Sequence, residues 1–258
     1  MKLFILSAVH NVTSYRKEIY EFFLERMRHL SREFNIDMLV VGSEGEASRR
    51  MTEGAGFLYL EHENNPVSDK WNAGLRELKK YNPTHVMSLD SDDFISDNLL
   101  KCYITEIERG FDGIIGIMDS YFITLSPWAT DFNKCIYWHG YPSTNILGTC
   151  RCVSRRVLDA VGWELWPSGD DSGLGRLSRL KMMDALVSSP VLGFSVKEEG
   201  WLHIDIKTKG NISSMSPLMK RSEPADFNEL IRNHLTLSEV IDIISYRENI
   251  ISTYNEVR

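Results

Sequence analysis

The stretch Thr84–Asn98, "THVMSLDSDDFISDN", runs from an apolar segment straight into three carboxylates, Asp90, Asp92 and Asp93, packed into four positions. "HVMSL" predicts a buried strand, so the acids fall at its carboxyl end, where crowded like charges need a reason to coexist. On an extended backbone Asp90 and Asp92 face the same way, and a turn brings Asp93 round to them. An oxygen-rich set of this kind suits a hard divalent cation such as Mg²⁺ or Mn²⁺. Mg²⁺ takes only one or two protein carboxylates and fills its shell with water and phosphate oxygens, so the cluster describes a site for a metal-bound nucleotide better than a closed cage. The plainer alternative is a solvated helix start, because "SDNLLKCYITEIER" predicts a helix whose dipole favours the preceding acids.

Upstream, strand-like and helix-like segments alternate. "KLFILSAV", "DMLVVGS" and "GFLYLE" read as strands. "SYRKEIYEFFLERMRHLSREF" carries Ile19, Phe22, Phe23, Met27 and Leu30 at helical spacing, and "SDKWNAGLRELKKY" reads as a second long helix with Ser68 as its cap. Ser43 and Glu46 have the spacing of a capping box, as do Thr236 and Glu239. This β-α-β-α order predicts an α/β fold with a mainly parallel sheet flanked by helices, whose ligands gather beyond the strands' carboxyl ends. "VHN", "GSE", "EHENN" and "DSDD" would converge there. The second half is less regular. "GIIGIMDSYFITL" is strand-like, "CRCVSRRVLDAVG" reads as strand then helix, and the tail from Ala225 reads as helical.

With 258 residues and a formal charge of −7, the chain can bury a large core and offers no general basic face for polyanions. No apolar run reaches the length of a membrane span. The opening "MKLFILSAVHN" reads as a buried strand rather than a signal peptide, since no small-residue cleavage site follows. Cys102, Cys135, Cys150 and Cys152 lack zinc-site spacing and read as buried thiols, which points to the cytoplasm.

Several motifs in this order resemble the nucleotide-sugar domain of GT-A glycosyltransferases, in particular the family 2-like inverting enzymes. "LDSDD" follows a fourth strand, and "NNPVSDKWNAGLREL" ahead of it is similar to the family's Asn-x-Gly helix start, with Lys70, Asn72 and Gly74 in matching places. The resemblance spans roughly residues 3 to 212. It implies a GT-A (Rossmann-like) catalytic domain over 1–222, with a nucleotide-sugar half (1–110) and a smaller acceptor half (111–222), followed by a helical C-terminal appendage over 223–258. It implies a sugar transfer from a nucleoside diphosphate donor, UDP by default, to an acceptor hydroxyl, with Mn²⁺ or Mg²⁺ as cofactor. Asp92, assisted by Asp93 and a late histidine, His203, would hold the metal, and Asp90 would serve the ribose or act as a further ligand. Asn11, Ser43, Glu44, Lys70, Asn72, Lys207 and Asn211 would contact the nucleotide, with Lys209 in the same closing loop. In "PSGDDSG", Asp171 and then Asp170 stand where the family places its catalytic base, although the family pattern there is Glu-Asp.

The acceptor is a saccharide or another hydroxyl-bearing molecule, met by an aromatic face drawn from Trp128, Tyr137, Trp138 and Tyr141, with Trp163 and Trp166 near the base. Core packing competes for every one of these aromatics. Two alternatives stand beside this reading. One is sugar transfer to a modified nucleobase in nucleic acid, for which "SRR" at 154–156 and "RLSRLK" at 176–181 are the only basic hints. The other is a non-catalytic nucleotide-sugar-binding protein of the same fold. A nucleotidyltransferase would need a glycine-rich loop after the first strand, and "SAVHNVTSYRKE" has none. The tail helix, with Val240, Ile241 and Ile244, would dock on its own domain or form a homodimer contact.

Overall fold

A computed structural model describes residues 1–10, 15–124, 135–140, 146–168, 189–207 and 221–236, together with 238, 239, 242, 243 and 245. Four strands open the chain: β1 (Leu3–Ala8), β2 (Asp37–Gly42), β3 (Leu58–Glu61) and β4 (His85–Ser88). They are joined by helices α1 (Tyr15–Phe34), α2 (Glu46–Gly54) and α3 (Val67–Leu78). β1 lies between β2 and β4, parallel to both, with β3 parallel to β2 on the outside. Each crossover is the β-α-β unit that the alternating sequence predicts. The strands are apolar throughout because the sheet is covered on both faces. Leu3 and Ile5 join one core cluster, while Phe4 and Leu6 join the other.

The main sheet has seven strands, in the order β10-β6-β9-β4-β1-β2-β3. Here β6 is Ile114–Ile117, β9 is Arg151–Ser154 and β10 is Val191–Phe194. β9 runs antiparallel between β4 and β6. A second sheet of five strands has the order β12-β8-β7-β11-β5. Its members are β5 (Asp93–Ile95), β7 (Ser120–Thr124), β8 (Cys135–Trp138), β11 (His203–Lys207) and β12 (Ser222–Ala225). Thr84–Asn98 is the junction between the sheets: β4 belongs to the first, β5 to the second, and the turn between them is Ser91–Asp92.

Several sequence expectations change. The halves divided at residue 110 interleave, since β9 and β10 enter the first sheet and β5 enters the second. "GIIGIMDSYFITL" splits into β6 and β7, in different sheets. "VLGFSVKEEGWLHIDIK" holds two strands, β10 and β11, with the short helix Val196–Glu199 between them. The tail begins later than residue 223, because β12 pairs with β8 across that point; its first helix is Phe227–His234. Ser43 and Glu46 form no capping box. Gly45 is the N-cap of α2, and Ser43 Oγ donates to Glu44 Oε1. Ser68 lies inside α3, whose N-cap is Pro66.

The Thr236–Glu239 box does form, with Thr236 N–H donating to Glu239 Oε2 at 2.8 Å and Glu239 N–H to Thr236 Oγ1 at 3.5 Å. Glu239 Oε1 also accepts from Asp97 N–H at 2.6 Å, so the tail caps α4 (Asp97–Glu108). Ile243 is buried in the same core cluster as α1, which docks this part of the tail on its own domain.

The Asn-x-Gly motif of α3 has a packing explanation. A Cβ on Gly74 would meet Leu6 Cδ1 at 2.5 Å and Val41 Cγ2 at 2.7 Å, so only glycine lets α3 lie this close to β1 and β2. In the core on this face Trp71 of α3 and Trp166 pack with ring centroids 5.6 Å apart.

Candidate active site

Asp90, Asp92 and Asp93 each present a carboxylate oxygen within 4.8 Å of the others. The tight turn does this: Asp93 N–H donates to Asp90 O at 3.1 Å, and Asp90 N–H returns to Asp93 Oδ2 at 3.0 Å. The helix-start alternative is displaced, because β5 separates Asp92 and Asp93 from α4, whose N-cap is Ser96.

β11 closes the site from the other side. It runs antiparallel to β5 with Asp205 opposite Asp93 and His203 opposite Ile95. Strand alternation puts His203, Asp205 and Lys207 on one face. His203 is fully buried; its Nε2 lies 3.4 Å from Asp93 Oδ2 and 3.5 Å from Thr149 Oγ1. Thr149 Oγ1 donates to Asp93 Oδ2. Ser120 Oγ is 3.1 Å from Tyr121 O and 2.6 Å from His203 Nδ1. The Ser120 contact fixes the His203 ring, and Nε2 faces the Asp93 carboxylate, as donor or as lone pair according to the tautomer.

The titration behaviour follows from burial. Enclosure, and then the Asp92 charge, push the Asp93 carboxyl up to about 7. Asp205 is also pushed up to about 7 by burial, against the pull of Lys207. Asp90 rises through enclosure and the charges of Asp93, Asp92 and Asp205. Burial lowers His203 to about 4, so it is neutral at pH 7.

Two cations are already seated on the cluster. Arg16 NH1 lies 3.1 Å from Asp92 Oδ2, and Lys207 Nζ lies 2.6 Å from Asp205 Oδ2. Asp93 Oδ1 and Asp205 Oδ1 are buried and accept no hydrogen bond. Orphaned buried carboxylate oxygens are costly unless something positive completes them. Asp90, Asp92 and Asp93 therefore fit a divalent cation by donor type and charge, with His203 beside Asp93.

A second polar group sits at the ends of β1 and β2. Lys70 Nζ, buried in α3, donates to Val9 O, to Ser43 Oγ at 3.1 Å and to Asn64 Oδ1 at 3.0 Å. Burial lowers it to about 8, while Glu44 and Glu61 oppose that shift. His10 joins the two groups, feeling Arg16 and Asp92 on one side and Lys70 and Glu44 on the other; burial and the two cations lower its pKa.

Asp90, Asp92, Asp93, His203 and Lys207 thus meet in one place, with Ser43, Glu44 and Lys70 further along the rim. Asn72 does not join them. Its side chain is clamped on Trp166, donating to the carbonyl at 2.8 Å and accepting from the N–H at 3.2 Å, so both amide ends are used inside the protein. Tyr137, Trp138, Trp163 and Trp166 are all buried, and core packing claims them rather than an acceptor face. Asn11, Trp128, Tyr141, Asp170, Asp171, Lys209 and Asn211 lie outside the described residues. The half-buried Arg155 and the exposed Arg156 pair with Asp159 and Asp112 at 3.3 and 2.9 Å, which occupies the "SRR" hint of a basic track.

Arg16, Thr149 and Asp205 were not anticipated. Asp205 was readable, because "HIDIK" alternates polar and apolar and places it on the His203 face. Arg16 and Thr149 meet the cluster through tertiary contacts that no local pattern marks.

No protein-family model matches the sequence, and no curated relative matches it. Solved structures do. S. aureus TarS superposes with a TM-score of 0.53 at 13% identity, covering 80% of this chain and 37% of that one. TarS 1-349 in complex with UDP-GlcNAc gives 0.52 at 14% identity, covering 97% of this chain and 70% of the other. The fold is GT-A. A cytidylyltransferase from Leptospira borgpetersenii superposes at 0.47 with 13% identity, a level that supports no argument. The chain spans little more than a third of the length of the full TarS chain it matches. Within the GT-A frame, the Thr84–Asn98 junction is the rim segment to which both polar groups converge. Among the described residues no helix is long and apolar enough to cross a membrane.

Proposed function

We propose that this chain is a metal-dependent glycosyltransferase that moves a sugar, with inversion, from a nucleoside diphosphate donor to an acceptor hydroxyl. UDP is the donor nucleotide by resemblance, in keeping with the UDP-GlcNAc held by TarS 1-349. The observation that carries the reading is a charge deficit. Among the described residues four carboxylates, Asp90, Asp92, Asp93 and Asp205, meet two cations, Arg16 and Lys207, so the acids outnumber the cations and suit a divalent ion. Two carboxylates 4.8 Å apart repel by roughly 3–4 kcal/mol at an effective dielectric of about 20. A helix dipole returns only about 0.3–1 kcal/mol per charge, too little to explain the crowding.

Asp92, Asp93 and His203 would hold the ion, with Asp90 as a further ligand or ribose contact. The nitrogen ligand favours Mn²⁺ over Mg²⁺. Bound there, the ion supplies Lewis-acid neutralisation of the leaving diphosphate. Ser43, Glu44 and Lys70 line the nucleoside end, joined by Asn11, while Lys207 and Asn211 serve the diphosphate. Asp171, with Asp170 beside it, takes the acceptor's proton as the acceptor oxygen bonds to the sugar carbon. The electron pair of the broken sugar–oxygen bond leaves with the diphosphate.

Titration calorimetry with UDP, with and without Mn²⁺, tests the reading. The wild-type chain should bind UDP with Mn²⁺, and Asp92→Asn should lose that dependence while staying folded. Unchanged affinity in Asp92→Asn would sink the metal site.

A further inference from the structure

Two buried arginines of α1 behave differently, and the contrast carries an inference that rests on the function proposed above. Arg26 makes several hydrogen bonds within the fold, although its buried NH1 has no partner among the described residues. Its Nε and NH2 donate to Ile95 O at 2.9 and 2.7 Å, and NH2 also reaches Asp97 Oδ1 at 2.5 Å and Glu239 Oε1 at 3.2 Å. Its guanidinium carbon also sits 4.7 Å from the centre of the Phe94 ring. Among the described residues Arg16, 5% exposed, makes one short contact, from NH1 to Asp92 Oδ2 at 3.1 Å. NH2 reaches only Ser91 Oγ, at 3.5 Å. The fork-to-fork geometry that an arginine and a carboxylate can adopt is not used, although burying a guanidinium normally demands it.

We propose that Arg16 is a ligand for the donor's phosphates that rests on Asp92 until the metal–nucleotide arrives. The carboxylate it occupies is the one assigned to the ion, and a divalent cation there would set two like charges side by side. That arrangement is stable only when an anion lies between them. A diphosphate is such an anion, with planar oxygen pairs that match the guanidinium's unused donors. Lys207 differs, since its partner Asp205 lies on the neighbouring strand, opposite Asp93, and can keep it. Before the donor binds, Arg16 relieves repulsion within the acidic turn. Afterwards it turns the same charge to the substrate, and the ion takes its place on Asp92.

Arg16 should therefore oppose the free metal and favour the nucleotide, opposite signs that a purely structural residue would not produce. Calorimetry on the full chain measures both, using Mn²⁺ alone and then UDP at saturating Mn²⁺, on wild type, Arg16→Ala and Arg16→Lys. Arg16→Ala should bind Mn²⁺ about tenfold more tightly and UDP about tenfold more weakly, as expected for one charge-assisted hydrogen bond. Arg16→Lys, which keeps the charge and the packing of the stem, should fall between and serves as the readout if the alanine variant does not fold. Unaltered Mn²⁺ affinity, or losses of both affinities together, would overturn the exchange while leaving the donor site in place. Wild-type protein that binds no UDP with or without Mn²⁺ would overturn the proposed function and this inference with it.

Discussion

Asp205 faces Asp93 across the β11–β5 ladder, and each keeps one buried oxygen without a hydrogen bond. Like charges directly opposite in an antiparallel pair destabilise a sheet, so this pair opposes folding unless protons or a cation intervene. Replacing Asp205 by Asn removes one of those charges and loosens Lys207. Because Asp205 is also the buried partner of Lys207, the variant should melt below wild type in the absence of metal and bind Mn²⁺ about tenfold more weakly. Thermal melts with and without Mn²⁺ check both halves of that expectation.

The same pair sets a pH dependence. Asp93 and Asp205 have folded-state values of about 7, above the ordinary carboxylate value, with burial the main cause. A raised value means that the folded state binds protons more tightly, so the stabilisation is full below about pH 4 and is lost as pH rises through about 7. The metal prefers the ionised form, so Mn²⁺ affinity should climb towards pH 7 and level off above it. Asp93→Asn should flatten the fall in metal-free melting temperature across that window. A slope equal to that of wild type would place the titrating groups elsewhere.

Asn72 separates a family expectation from what the fold does with the residue. Asn72→Ala removes the two side-chain hydrogen bonds to the buried Trp166 N–H and C=O, which costs about 2–4 kcal/mol. Urea denaturation should show that loss, while UDP affinity measured on the folded variant stays close to wild type. A nucleotide ligand would give the reverse pattern.

Much of this was legible in the sequence, for physical reasons that also mark where legibility ended. β1 to β4 are continuous apolar runs bounded by polar turns, and α1 carries its stripe at helical spacing, so local pattern sufficed. "DSDD" was legible because three adjacent acids need an explanation wherever they fall. The junction was not: β5 is three residues long, and its membership of a second sheet depends on β11, more than a hundred residues away. Tyr137 and Trp138 looked like sugar platforms because composition does not reveal which face of a strand is covered. Arg16 and Thr149 reach the acids from distant elements, and no spacing announces that.

Asp171 and Asp170 remain assigned by motif, and their test is kinetic. Asp171→Asn should keep UDP affinity within about twofold and lower turnover by about a hundredfold or more, the usual weight of a general base. Asp170→Asn should keep most of the activity. If the two variants exchange behaviours, the base is Asp170.

Glu239 connects the tail to the acidic turn. Its carboxylate is 1% exposed, accepts from Asp97 N–H and pairs with Arg26, which in turn holds Ile95 O at the end of β5. Asp93 begins that three-residue strand, so the tail braces the element that positions a proposed metal ligand. Removing one partner of a buried ion pair costs about 3–5 kcal/mol, and Asp97 still pairs with Arg26, so Glu239→Ala should cost about 3 kcal/mol. Glu239→Gln keeps an acceptor for Asp97 N–H and should cost less. Chemical denaturation gives the ranking, and Mn²⁺ titration of the folded fraction should show weaker binding in Glu239→Ala alone. Equal metal affinity in all three proteins would make the tail a stabilising brace with no influence on the site.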